Sequence, residues 1–307
     1  MYDFDESGTS RSILHGSRGS EQLQSYFASD YYNTISGQND YRLAWTLLEI
    51  HDWVRFASQD PTNTVKVLNG FAYLLSGPGT PIIYYGLEQG FNGRCAAESV
   101  HCGDLNATCA NFCASHFNND NIFKRQDMFV GGPWRLASTL AGISALGYVG
   151  RMPTAMPSPP WEQDPFLDRS SATYAQARRM TRLRNSCRPL RRGSLQTTWV
   201  GSAPGSLLAF NRNDGQHEIV VIVNPGTSFV DISTMRFYVD RGVVPVGAVF
   251  QDALYQNQTA TIVAGADGNN YLAPDSGLFV GGESALIFVL QTLLGPWDAT
   301  LGVHLCL

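Results

Sequence analysis

The chain has 307 residues, 44% of them hydrophobic and 15% charged, with a net charge of −5, a composition that buries a sizeable core in one or two domains. Lys and Arg read as scattered, with no basic stripe interleaved with aromatics, which argues against a nucleic-acid partner. The apolar tail near residues 285–294 contains Gln291 and is too short to cross a bilayer.

Residues 1–40 are rich in Ser, Gly, Asp and Asn, with one helix expected around 21–28 and a turn at 36–40. The acidic start, Asp3-Phe4-Asp5-Glu6, has neither the basic nor the apolar region of a secretory signal. Two apolar runs follow, 45–50 and 81–85. Between them Val65, Leu68, Ala72 and Leu75 recur at helical spacing, so the stretch reads as strand, helix, strand. Both runs lack alternation, which is the pattern of parallel strands covered on both faces. His51 and Asp52 stand at the carboxyl end of the first run, with Arg55 beyond them. Polar groups at that end of a barrel strand are read first as catalytic. Arg55 reads as structural, paired with a nearby carboxylate. Trp45, Tyr84 and Tyr85 read as core aromatics, with stacking on a ligand as the alternative.

Residues 86–121 form a long loop rich in Cys, Asn and Gly. Cys95, Cys102, Cys109 and Cys113 crowd into it, and disulfides stapling the loop are the leading reading, because the spacing lacks the paired two-residue gaps of structural zinc sites. A zinc site on Cys109, Cys113 and His116, or free thiols, are the alternatives. Asn106 and Asn257 begin glycosylation sequons. An apolar helix pattern at 136–146 is followed by a Pro-rich linker at 152–165. Residues 172–190 then read as an amphipathic helix with Tyr174, Ala177, Met180, Leu183 and Cys187 on one side and Arg178, Arg179, Arg182 and Arg184 elsewhere. From residue 195 the period becomes strand-like. Runs at 195–200, 206–211, 217–223, 235–239, 246–250, 259–263 and 284–290, separated by Gly, Asn, Asp and Pro turns, predict an antiparallel β-sandwich or Greek key. The expected division is 1–192 and 193–307. No Gly-x-Ser-x-Gly elbow and no phosphate-cradling loop is present.

Ile50-His51-Asp52-Trp53-Val54-Arg55-Phe56, followed after a helix by Gly79-Thr80-Pro81-Ile82-Ile83-Tyr84-Tyr85-Gly86-Leu87-Glu88-Gln89, resembles the seventh and eighth barrel strands of the α-amylase family of glycoside hydrolases. Lys124-Arg125-Gln126-Asp127 is similar to the family's Arg-containing sugar-contact segment. The likeness covers the chain from about residue 40. It implies the C-terminal fragment of a (β/α)8 barrel followed by an antiparallel β-sandwich domain, from a parent that hydrolyses α-1,4-glucans such as starch with retention. By that resemblance Asp52 stabilises the transition state, while His51, Arg125 and Glu88 contact substrate. Ile50 stands where the family usually has Asn. The family's Asp nucleophile and Glu acid/base belong to the fourth and fifth strands, for which this chain has no residues. The expectation is therefore a chain inactive alone, its enzyme status open, with no cofactor of its own. The calcium expected for the full-length family has its ligands elsewhere. The expected partner is an α-glucan, with neither nucleic acid nor membrane, and the expected location of the parent is extracellular. The alternative is a non-catalytic glucan-binding or degenerate remnant protein.

Overall fold

The computed structural model describes residues 3–27, 44–60, 63–91, 124–125, 168–255 and 258–307. They divide into two compact units. One is Met1–Thr46, Asn69–Ile82 and Arg178–Leu307; the other is Leu47–Leu68 and Ile83–Ala177. The candidate disulfide cysteines of the long loop, His116, both sequon asparagines, the 136–146 helix pattern and the Pro-rich linker lie outside the described residues.

The amino-terminal part of the first unit departs from the sequence expectation. Helix α1 (Phe4–Leu14) occupies a stretch read as loop. Asp3 caps it, its side chain accepting the Glu6 N–H at 3.0 Å, the service that a short acidic side chain gives an otherwise orphaned amide. Glu6 is fully buried, and the Tyr73 hydroxyl donates to it. Helix α2 (Glu21–Phe27) follows, where a helix was expected.

Strand β1 (Trp45–Leu47), helix α3 (Thr64–Ser76) and strand β2 (Thr80–Ile82) are the anticipated strand, helix and strand, and β1 pairs with β2. Helix α3 buries Val67, Phe71, Leu74 and Leu75, while Val65 is 44% exposed. The buried stripe therefore starts at Val67 rather than at Val65. The carboxyl end of α3 is held by two arginines. Arg184 donates to the carbonyls of Leu75, Gly77 and Gly79, and Arg212 to those of Ser76 and Gly77 and, at 3.0 Å, Gly193. Helix ends leave carbonyls without intrahelical partners and carry partial negative charge, so a guanidinium satisfies both needs at once. Arg184 is thus buried rather than on the polar side of its helix.

The expected 172–190 helix is two: α4 (Ala172–Ser186) and α5 (Arg188–Arg192), separated by Cys187 in extended conformation. Pro189 lacks an amide to continue the α4 ladder but suits the first turn of a new helix. The strands expected beyond residue 193 are present, and eight of them form one antiparallel sheet. In sheet order these are β3 (Ser194–Trp199), β4 (Leu208–Asn213), β5 (Glu218–Asn224), β12 (Ser284–Leu290), β8 (Val249–Asp252), β9 (Thr259–Ala264), β10 (Asn270–Pro274) and β7 (Phe237–Val239). The sheet folds over so that its two ends meet. Trp199 of β3 packs edge-on to Phe237 of β7, and the Asn211 amide donates to the Tyr238 carbonyl at 2.7 Å. The sandwich is made from two halves of one sheet, and Val220, Ile222, Phe237, Phe250, Leu272 and Phe288 fill it. Short strands β6 (Val230–Asp231) and β11 (Phe279–Val280) pair at one side, and β13 (Leu294–Asp298) and β14 (Val303–Cys306) form a terminal hairpin. Cys306 is disulfide-bonded to Cys187.

Of the buried carboxyls in this unit, Glu6, Glu218 and Asp252 are the ones that burial perturbs most. Burial pushes Glu6 and Glu218 from 4.5 up to about 7, and Asp252 from 3.8 up to about 7 although it accepts the N–H groups of Leu254, Tyr255 and Ile287. A carboxyl whose folded value is raised binds its proton more tightly folded than unfolded. Its contribution is complete below the unfolded value and is lost as pH rises through the folded one. The melting temperature is therefore expected to fall between about pH 5 and pH 8. Glu6→Gln combined with Glu218→Gln should flatten that slope in a calorimetric pH series, and an unchanged slope would refute the assignment.

Candidate functional site

The site lies in the second unit, on the turn that follows β1. Residues 48–50 continue the apolar run except for Glu49, whose side chain is fully buried. Arg55 Nη1 donates to Glu49 Oε1 at 2.7 Å and to the Tyr85 carbonyl at 2.6 Å, and the Phe56 N–H donates to Glu49 Oε2 at 2.6 Å. The guanidinium lies 4.4 Å from the Tyr84 ring centre and 4.8 Å from that of Tyr85. A buried ion pair with both partners hydrogen-bonded resists separation, because either charge left alone is strongly destabilised. Segment 49–56 is thereby clipped to segment 84–91, and Arg55 is the structural cation that the sequence indicated.

Segment 84–91 is shaped by two glycines. Gly86 (φ 87°) and Gly90 (φ 69°) flank a 3₁₀ turn, Leu87–Gln89. Gly86 is required twice: its φ is left-handed, and a Cβ there would collide with the Phe91 ring. Tyr84 and Tyr85 pack edge-on at 4.6 Å beside Arg55, and burial, then the Tyr85 hydrogen bond, pushes the Tyr84 phenol up.

On this base the turn at 51–53, closed by Trp53 N–H to the Ile50 carbonyl at 3.0 Å, carries His51 and Asp52 outward. His51 Nε2 is 3.1 Å from Asp52 Oδ2, and Arg125 Nη2 donates to Asp52 Oδ1 at 3.0 Å. Arg125 Nε donates to the His51 carbonyl at 3.3 Å. The three side chains are 49%, 64% and 46% exposed, so a ligand can reach them. An ionised carboxylate has about four acceptor sites, so two remain for a ligand's hydroxyls. The arrangement is an oriented anion with two flanking donors, suited to a polyol.

Of the residues singled out from sequence, the structure brings together His51, Asp52 and Arg125. Glu88 is half-buried, and among the described residues no hydrogen bond joins it to the three. Burial raises its carboxyl, with the Glu49 charge adding to the effect. Glu49 was missed as a positioning residue. Its signal was a carboxylate inside an apolar run, six residues before an arginine. Among the described residues no group of three or more His, Cys, Asp or Glu side chains could hold a metal ion. Among them, too, no helix is long and apolar enough to cross a membrane.

No protein-family model matches the chain. It is 45% identical over 58 residues to alpha-amylase 1 of Schwanniomyces occidentalis, covering 19% of this chain and 11% of that enzyme. It is 41% identical over 62 residues to alpha-amylase of Saccharomycopsis fibuligera, covering 20% and 12%. Among solved structures, the cyclomaltodextrin glucanotransferase CldA superposes with a TM-score of 0.58 at 17% identity, over 94% of this chain and 44% of that one. The α-amylase of Geobacillus thermoleovorans, complexed with acarbose, superposes with a TM-score of 0.57 at 17% identity, over 94% and 47%. The chain thus spans less than half the length of these solved enzymes. A local likeness of sequence to two α-amylases and a likeness of fold to part of these solved enzymes across most of the chain converge, so the chain resembles the C-terminal part of α-amylase-family glycoside hydrolases.

Proposed function

We propose that this chain carries the sugar-contact side of a retaining α-1,4-glucan site, in a parent protein that is extracellular, and that by itself it binds glucan without hydrolysing it. The observation that supports the reading is the exposed Asp52 carboxylate held between His51 and Arg125. In this reading Asp52 accepts two adjacent hydroxyls of one glucose residue. Those bonds strengthen as the ring flattens towards the oxocarbenium ion, so they favour the transition state over the ground state. His51 donates to a hydroxyl of the same sugar, Arg125 fixes the carboxylate and reaches a neighbouring unit, and Glu88 is a rim contact. The division at residue 192 separates this glucan-contact part from a β domain.

Retention needs a carboxylate nucleophile and a protonated carboxyl about 5 Å apart across the scissile bond. In the proposed reading both come from barrel segments other than those around His51 and Asp52. Losing a nucleophile removes the covalent route and typically several orders of magnitude in rate. The test is calorimetric titration of the purified chain with maltoheptaose, alongside an assay for reducing sugar. Asp52→Asn is expected to weaken binding about tenfold or more, since charge-assisted hydrogen bonds are lost. No sugar should be released by either protein. Equal binding by the variant would remove Asp52 from the site, and hydrolysis abolished by Asp52→Asn would overturn the inactive reading.

A further inference from the structure

The outer face of the eight-stranded sheet carries an aromatic pair that the site on the β1 turn does not use. Tyr238 of β7 and Tyr271 of β10 stand directly opposite each other in the antiparallel register, and Val263 of β9 is opposite Tyr271. Their neighbours along the strands, Phe237, Val239, Leu272 and Ile262, fill the core, so alternation turns Tyr238, Tyr271 and Val263 outward. All three are half-buried. The two rings are 6.3 Å apart and inclined at 82°, which makes an aromatic corner. Tyr271 is fixed twice. Its ring lies against Gly265 of the adjoining turn, where a Cβ would collide with it, and its hydroxyl donates to Asp267 Oδ2 at 2.6 Å. Asp267 also accepts the Asn269 backbone N–H at 3.1 Å and its side-chain amide at 2.8 Å. An ionised carboxylate has about four acceptor sites, so one stays open beside the ring. Arg241 donates to the Gly268 carbonyl of the same turn at 3.1 Å. It is exposed, and it makes no other side-chain hydrogen bond among the described residues, which leaves most of its donors open.

A ring held in one orientation before a ligand arrives loses little freedom on binding. A pyranose has an apolar C–H face rimmed by hydroxyls, and this surface offers the complement: a flat aromatic ring with an acceptor and a donor at its edge. A nucleic-acid base would stack as well, but its phosphates call for a cationic groove. The turns at 240–247 and 264–269 carry two carboxylates, Asp240 and Asp267, against one guanidinium, Arg241, and Arg236 is turned to the Ser233 and Met235 carbonyls. A rim without positive excess favours a neutral polyol. We propose that Tyr238 and Tyr271 form a second sugar-binding surface, on the antiparallel sheet, which seats an α-1,4-glucan chain by stacking a glucose ring on Tyr271 while Asp267 and Arg241 take its hydroxyls. That the sugar is an α-glucan rests on the reading above; that the ligand is a neutral sugar rests on this surface alone.

The test is amide NMR of the full chain titrated with maltoheptaose, with a thymidine oligonucleotide as control. The amides of residues 238–241 and 265–271 should shift in a saturable way. Tyr271→Ala should weaken that response about tenfold, the loss of one stacked ring, while Tyr271→Phe, which keeps the ring and releases it from Asp267, should weaken it less. Because Tyr271→Ala uncovers Gly265, Arg241→Gln, a change at an exposed side chain, is the second variant, and it should weaken the response about threefold or more. No shift at these amides, an unchanged response in Tyr271→Ala or, should that variant unfold, in Arg241→Gln, or equal shifts with the oligonucleotide would each overturn the proposal. Failure of the Asp52 reading looks different: the amides of residues 51–55 would stay unmoved, or would move equally in Asp52→Asn, with the response at 238–241 and 265–271 intact.

Discussion

Glu49→Gln is expected to destabilise the segment bearing His51 and Asp52 by about 3–5 kcal/mol, the cost of leaving one member of a buried ion pair alone. Both side chains of the Glu49–Arg55 pair have no exposed surface, so water cannot screen the charge left on Arg55. The amide keeps one acceptor but turns an N–H group towards either Arg55 or the Phe56 amide, each of which is itself a donor. Replacing both members, Glu49→Leu with Arg55→Met, should cost less than the two single changes added together, because no unpaired charge remains. Hydrogen exchange of the residue 49–58 amides, with a denaturant titration, reads the effect. A loss under about 1 kcal/mol for the single variant would mean that the pair behaves like a solvent-exposed one. Since Glu49 anchors the turn without touching a ligand in the proposed site, the single variant should also weaken maltoheptaose binding.

Replacing Cys187 and Cys306 together with alanine should cost about 4–5 kcal/mol on chain-entropy grounds, because the bond joins residues 119 apart in sequence. It ties the α4–α5 junction to β14, and β14 is otherwise held by its hairpin partner β13, by His304 N–H to the Ala253 carbonyl at 2.8 Å, and by Cys306 N–H to Ser186 Oγ at 3.1 Å. Opening the link frees the terminal hairpin first. The expected result is a lower denaturation midpoint for the double variant, with β13 and β14 amides losing protection ahead of the central sheet. A shift of less than about 1 kcal/mol would show that the unfolded chain gains little freedom when the link is cut.

The legible features were those with a local cause. The strand–helix–strand pattern around α3 and the run of β-strands beyond residue 193 follow from hydrophobic period and turn residues, and they stand where the period put them. The amylase-like residues on the β1 turn and at Arg125 were legible because motif residues and order are sequence properties. Helix α1 was not legible. Its Ser-Gly-Thr-Ser-Arg-Ser composition is poor in helix formers, and it is held instead by the Asp3 cap and by burial of Glu6, Ile13 and Leu14. The break at Cys187 was likewise not legible, because the apolar period continues through it.

Sequence by itself determined the family likeness, the strand–helix–strand order around α3 and the run of strands beyond residue 193. Tertiary structure alone decided that Glu49 and Arg55 meet, that Arg184 and Arg212 cap α3 from 105 or more residues away, and that Cys187 pairs with Cys306. The physical reason is one of range. Propensity and periodicity act over a few neighbouring residues, whereas a buried charge or an orphaned carbonyl is satisfied by whichever group the folded chain brings beside it.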